Sequence, residues 1–234
     1  MELGKYKKAE PLYKQALEIR KKLFGLEHLD TALSLNNIAN FFLEIGEPKK
    51  AETYFEQSLE IYKRINGLDH PDTALAINNL GGLYSYLGKY KKAEPLYKQS
   101  LEIRKKLFGQ GHPEVALSLD HLGDLYHSRG KYKKAEPFYK QSLEIRKKVY
   151  GLEHFDTASS LNNIAYLHYD LGELNKAEKF FEQSLRIIKK IYGLEHYKTA
   201  TAINNLGEVY YSFGQYEKAE SLYKESLEIR EKVF

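Results

Sequence analysis

No cysteine occurs in the 234-residue chain. Disulfides, thiolate nucleophiles and cysteine-ligated zinc all need a sulfur and are excluded. Long hydrophobic runs are missing as well. No stretch approaches the roughly 18 or more apolar residues of a membrane span, and the opening residues MELGKYKKAE lack the apolar centre of a signal peptide. A cytoplasmic protein with no membrane partner is expected. Charge of one sign is scarce. The formal excess of +4 is ordinary for solvated helix faces, and the lysines alternate with glutamates such as Glu94 and Glu102, so no nucleic-acid partner is expected. What is present is 42% apolar residues, enough for a sizeable core.

Self-comparison decides the fold class. Gly4, Gly46, Gly88, Gly130, Gly172 and Gly214 recur every 42 residues, as do Ala9, Ala51, Ala93, Ala135, Ala177 and Ala219. A second series, Gly25, Gly67, Gly109, Gly151 and Gly193, has the same period and divides each unit into two segments. From Pro71 to Leu87, apolar residues at Ala74, Ile77, Leu80, Gly81, Tyr84 and Leu87 form the stripe of an amphipathic helix, helix A. Pro71 suits its first turn, and Asp72 complements the positive helix end. From Tyr90 to Phe108, Ala93, Tyr97, Leu101, Ile103 and Leu107 form helix B. Neither helix buries its stripe by itself, so stacked antiparallel pairs are predicted.

These residues resemble the tetratricopeptide repeat, with Ile77, Leu80, Gly81, Tyr84, Gly88, Ala93 and Tyr97 at its signature positions. The 42-residue version, with "INNLGGLY", "AEPLYKQSLEIRKKLFG" and "HPDTA", is similar to the cargo-binding domain of kinesin light chains. The resemblance implies an all-α, right-handed superhelical α-solenoid over residues 1–234. It consists of an unpaired helix B at 5–24 followed by helix pairs at 29–66, 71–108, 113–150, 155–192 and 197–234. Met1 to Gly4 read as the end of a missing helix A, and neither chain end carries a polar cap. An excerpt of a longer array, or a consensus-like design, is expected, with self-association through the uncapped terminal helices.

The resemblance also implies a non-catalytic protein-interaction module in which helix A lines a concave groove. The positions facing it hold Asn36, Asn37 and Asn40; Asn78, Asn79 and Tyr86; Asp120, His121, Asp124 and His127; Asn162, Asn163, Tyr166 and Tyr169; and Asn204, Asn205, Glu208 and Tyr211. A primary amide offers a donor and an acceptor side by side and can pair with a peptide group. A ladder of them suits an extended peptide of any sequence, although one asparagine of each pair can instead bridge adjacent helices, because buried amides need partners.

"LDHLGDLYHSRG", residues 119–130, is the odd rung: Asp120 and His121 replace the asparagine pair. It reads as a specificity patch in the groove. The same side chains also have helical spacings usable by zinc or nickel. No activated nucleophile or phosphate-binding loop accompanies them, so neither an enzyme nor a cofactor is expected. Glu44, Asp120, Asp124, Asp170 and Glu208 make the groove acidic, with the cations placed on helix B, which favours a neutral or basic peptide. His28, His70, His112, His154 and His196 precede each helix A and are expected to cap or pack the turn; His168 is expected to be a core residue. The alternative to peptide binding is a self-assembling repeat scaffold, favoured by near-identical copies: residues 5–24 and 89–108 differ only at Ala16 versus Ser100.

Overall fold

A computed structural model describes residues 2–233, with side chains from residue 9 onward. The described residues form eleven α-helices: α1 (Glu2–Phe24), α2 (Leu29–Glu44), α3 (Pro48–Asn66), α4 (Pro71–Tyr86), α5 (Tyr90–Phe108), α6 (Pro113–Ser128), α7 (Tyr132–Tyr150), α8 (Phe155–Asp170), α9 (Leu174–Tyr192), α10 (Tyr197–Ser212) and α11 (Tyr216–Val233). They fall into two compact units, Met1–Gln110 and Gly111–Phe234. In the first, α1 packs on α2, α2 pairs with α3, α4 pairs with α5, and α3 packs on α4. In the second, α6 pairs with α7, α8 with α9 and α10 with α11, while α7 packs on α8 and α9 on α10. This is an α-solenoid of consecutive helix pairs. Met1 lies outside the described residues, but the backbone is already helical from Glu2 and runs through Gly4, where the end of a preceding helix was expected.

The linkers explain why the breaks fall where they do. Gly67, Gly151 and Gly193 close α3, α7 and α9 at φ 75, 83 and 79° with ψ near 180°, a backbone region open essentially to glycine alone. Each repeated histidine then caps the next helix: Nδ1 of His28, His70, His112, His154 and His196 accepts the backbone N–H two residues on, at 3.1–3.2 Å. Thr31, Thr73, Thr157 and Thr199 complete the turn by donating to the carbonyls of Gly25, Gly67, Gly151 and Gly193. Helix orphan donors and linker acceptors are thereby satisfied locally.

Within each pair the packing is set by a small residue facing a ring. Ala39 and Ala165 occupy the places of Gly81, Gly123 and Gly207, and the rings at the matching places are Phe55 and Phe181 against Tyr97, Tyr139 and Tyr223. A Cβ on Gly123 would lie 2.5 Å from Tyr139 Cε1, and one on Gly207 2.8 Å from Tyr223 Cε1. Alanine thus goes with phenylalanine and glycine with tyrosine throughout the chain. Buried serines tie the helices of a pair together: Ser58, Ser100, Ser184 and Ser226 donate to the carbonyls of Ala32, Ala74, Ala158 and Ala200, each 26 residues earlier, at 2.8–2.9 Å. His168 is a core residue, as expected. It is 4% exposed, stacks on Phe180 and places Nδ1 2.6 Å from Glu173 Oε2.

Candidate functional site

The open faces of the first helices carry the asparagine pairs, and an offset of 43 residues governs what the side chains do. Neighbouring residues on a helix point about 100° apart. The first asparagine of a pair therefore leans toward the following repeat and the second toward the preceding one. Asn79 Nδ2 donates to Asn36 Oδ1 at 2.8 Å between α2 and α4, and Asn205 Nδ2 donates to Asn162 Oδ1 at 3.1 Å between α8 and α10. Two turns further along, His127 Nε2 lies 2.9 Å from Asp170 Oδ2 between α6 and α8, and the hydroxyls of Tyr169 and Ser212 lie 2.8 Å apart between α8 and α10. The ladder thus bridges successive first helices, a role weighed above for one asparagine of each pair. Asn78 is buried and engaged, His121 is half-buried and engaged, and Asn204 donates to Glu208 Oε1 within its own helix.

The rung at α6 differs. Asp120 was expected to face the groove, but it is only 6% exposed, and its Oδ2 lies 2.6 Å from Arg146 Nη1. Arg146, itself buried, reaches across from α7 and also donates to Ser160 Oγ at 2.6 Å. Arg104, its counterpart on α5, is buried as well. Burial pushes the Asp120 carboxyl up to about 6, against the attraction of Arg146. Asp120 Oδ1 and the Ser142 hydroxyl are both buried without a hydrogen-bond partner. Ser142 accordingly lacks the bond to a carbonyl that its four counterparts make.

Asn163 stands 43 residues after Asp120. With the carboxylate drawn to Arg146, the Asn163 amide has no side-chain hydrogen bond among the described residues. It is half-buried and lines a cavity of about 320 Å³ together with Asn162 and Asn205. Phe155, Ala158, Ile188 and Ala202 give that cavity an apolar floor, and Lys198 stands at its wall. The Lys198 ammonium lies 3.8 Å from the Phe155 ring centroid and donates to the Tyr192 hydroxyl at 3.0 Å. Lys198 adds a cation to the wall of this cavity, at the place where the other copies have Asp30, Asp72, Glu114 and Asp156.

Acidic groups nevertheless dominate the rest of this face. Asp124 is solvent-exposed as a residue, yet its carboxyl is held above the usual range, chiefly because surrounding protein displaces water from it. Tyr139 donates to Asp124 Oδ1 at 2.7 Å, and its phenol is pushed up, first by burial and then by that carboxylate. The aspartates and histidines of residues 120–127 are thus divided among separate partners rather than gathered on one point. Tyr166 packs edge-on against Phe181 with ring centroids 5.0 Å apart, while Tyr211 is 60% exposed. In the first unit Asn37, Asn40 and Tyr86 are exposed.

The tetratricopeptide repeat model matches residues 1–64, 33–106, 72–148 and 156–232. The chain belongs to the tetratricopeptide repeat family. The fold of such proteins is generally that of a non-enzymatic interaction scaffold. Among solved structures, BtubC (BKLC) from P. vanneervenii superposes with a TM-score of 0.82 at 21% identity, over 97% of this chain and 92% of that one. A putative kinesin light chain of nearly identical repeats from Podosopora anserina gives 0.74 at 24% identity, over 88% and 98%. A Rap protein complexed with Competence and Sporulation Factor gives 0.67 at 15%, over 93% of this chain and 62% of that one. Likeness at these identities establishes the fold alone. A search of curated protein sequences gave no significant match. Among the described residues, no helix is long and apolar enough to cross a membrane.

The sequence missed the partner of Asp120. The signal was there, since Arg104 and Arg146 lie 26 residues after Asn78 and Asp120, the same separation that links each buried serine to an alanine carbonyl.

Proposed function

We propose that this repeat protein is a protein-interaction module whose second unit binds an extended peptide segment on the open face of α8 and α10. The observation that carries the reading is the Asn163 amide, left unbridged beside an apolar-floored cavity. A primary amide with both hydrogen-bonding groups available can pair with one peptide group. Tyr166, Tyr169 and Tyr211 offer rings to flanking side chains. Asp124, Asp170 and Glu208 favour neutral or basic residues, through complementary potential and cation–π contact. Asn37, Asn40 and Tyr86 offer the corresponding groups in the first unit. Affinity on the order of micromolar is expected for one short peptide, because ordering an extended chain offsets much of the contact energy.

The test is a random-peptide display selection on the wild-type chain, counter-selected on Asn163→Ala. Neutral or basic peptides lost on the variant support the reading. Enrichment identical on both proteins removes Asn163 from it. Neutralising Asp124 and Glu208 to asparagine, the residue already present at Asn40, is expected to weaken a selected basic peptide by about three- to tenfold and to leave a neutral one unchanged, as read by fluorescence anisotropy.

A second reading, a scaffold held rigid by its own ladder, is favoured by the Asn36–Asn79 and Asn162–Asn205 bridges. Absence of any enriched peptide, with the protein folded, would select it.

A further inference from the structure

We propose that the face between α7 and α9 in the second unit binds an acidic peptide segment carrying an apolar side chain. This face bears the second helices and lies away from the asparagine ladder. A cavity of about 710 Å³ opens there, lined by Lys147, Lys179, Arg186 and Lys190 against the carboxylates of Glu153 and Glu182. Its floor is Leu161 and Ile187, and Leu152, 64% exposed, stands at its edge.

The internal repeats show that two of these cations, Lys179 and Arg186, are specific to one copy. At the place of Arg186 every other copy has glutamate: Glu18, Glu60, Glu102, Glu144 and Glu228. In four of these copies the glutamate pairs with a cation of its own helix: Glu18 with Lys21, Glu60 with Arg64, Glu102 with Lys105 and Glu144 with Lys147. In α9 the reversal sets Arg186 one turn before Lys189 and Lys190, a like-charge arrangement that disfavours the helix. Lys189 turns instead to Glu225, while Lys190 pairs with Glu153 as Lys106 does with Asp69 and Lys232 with Glu195. At the place of Lys179 the other copies have Pro11, Thr53, Pro95, Pro137 and Ser221.

Lys179, Gln183, Arg186 and Lys190 follow at helical spacings along one stripe, all exposed. Among the described residues no carboxylate lies within ion-pair distance of Lys179 or Arg186. A cost to local electrostatics kept in one copy of six, without an internal partner, points to an external one. Two unpaired cations above an apolar floor fit carboxylate side chains flanking a leucine or phenylalanine. The guanidinium of Arg186 can grip a carboxylate with two parallel bonds. Glu153 and Glu182 in the lining, and the apolar floor, favour this occupant over a nucleic-acid backbone, which needs an uninterrupted basic track.

The internal copies also supply the test. Lys179→Ser with Arg186→Glu places at both sites residues the chain already uses at Ser221 and Glu144, so folding, checked by circular-dichroism melting, is expected to be retained. Random-peptide display on the wild-type protein is expected to enrich peptides combining acidic residues with leucine or phenylalanine. Their Kd by fluorescence anisotropy should weaken by about tenfold or more on the double variant, while Asn163→Ala leaves them unchanged. Failure to enrich acidic peptides, equal binding to the double variant, or loss only on Asn163→Ala would each overturn the proposal. So would a single-stranded DNA oligonucleotide whose binding is lost on the double variant while every selected peptide is unaffected, because that assigns the face to nucleic acid.

Discussion

Arg146→Met is expected to lower the stability of the protein by about 3–5 kcal/mol at neutral pH, measured by urea or thermal unfolding. The substitution leaves Asp120, whose side chain is only 8% exposed, without its cation, and removes the donor to Ser160 Oγ. Adding Asp120→Asn should recover most of the loss. The buried charge is then gone, and four other copies, at Asn36, Asn78, Asn162 and Asn204, already place asparagine there. The pH dependence separates the carboxylate from the packing. The Asp120 carboxyl is raised from 3.8 to about 6 in the folded protein, first by burial. An acid whose folded pKa is raised contributes stability that is complete below its unfolded pKa and is lost as pH rises through the folded one. Wild type should therefore lose stability relative to Asp120→Asn between roughly pH 4 and pH 6, a trend absent if Asp120 is well solvated.

Gly123→Ala is expected to cost about 1–3 kcal/mol, because the added methyl would meet the buried Tyr139 ring at 2.5 Å. The ring cannot withdraw freely while its hydroxyl donates to Asp124. In the Tyr139→Phe background that tether is absent and the pair matches Ala39–Phe55 and Ala165–Phe181, so the same alanine should cost clearly less. A double-mutant cycle by chemical denaturation measures the difference. Equal costs in both backgrounds would mean that the alternation of glycine–tyrosine with alanine–phenylalanine does not arise from this contact.

The helix pairs were legible because a fixed period superimposes every local signal. The two glycine series, the histidine before each first helix and the apolar stripes each marked the same boundaries several times. The groove was less legible, because a list of facing positions does not say which side chains face each other. Asn36 and Asn79 meet only because adjacent helices offer opposite flanks, which turns the 42-residue repeat into a 43-residue pairing. Asp120 looked like an exposed acid because its own helix gives no sign of Arg146 arriving from α7. The alternation of small residue and ring was in the sequence all along, at Ala39 with Phe55 and Gly123 with Tyr139, but its cause is a contact visible only when the helices are assembled.

In the proposed function an aspartate at position 120 breaks the ladder and frees Asn163 for a ligand. The most direct measurement is the affinity of a display-selected groove peptide for wild type and for Asp120→Asn. Asparagine at 120 is positioned to bridge to Asn163 as Asn162 does to Asn205. A folded Asp120→Asn protein is expected to bind the peptide about tenfold more weakly. A folded variant that keeps its full peptide affinity rules the bridge out as the reason Asn163 is free.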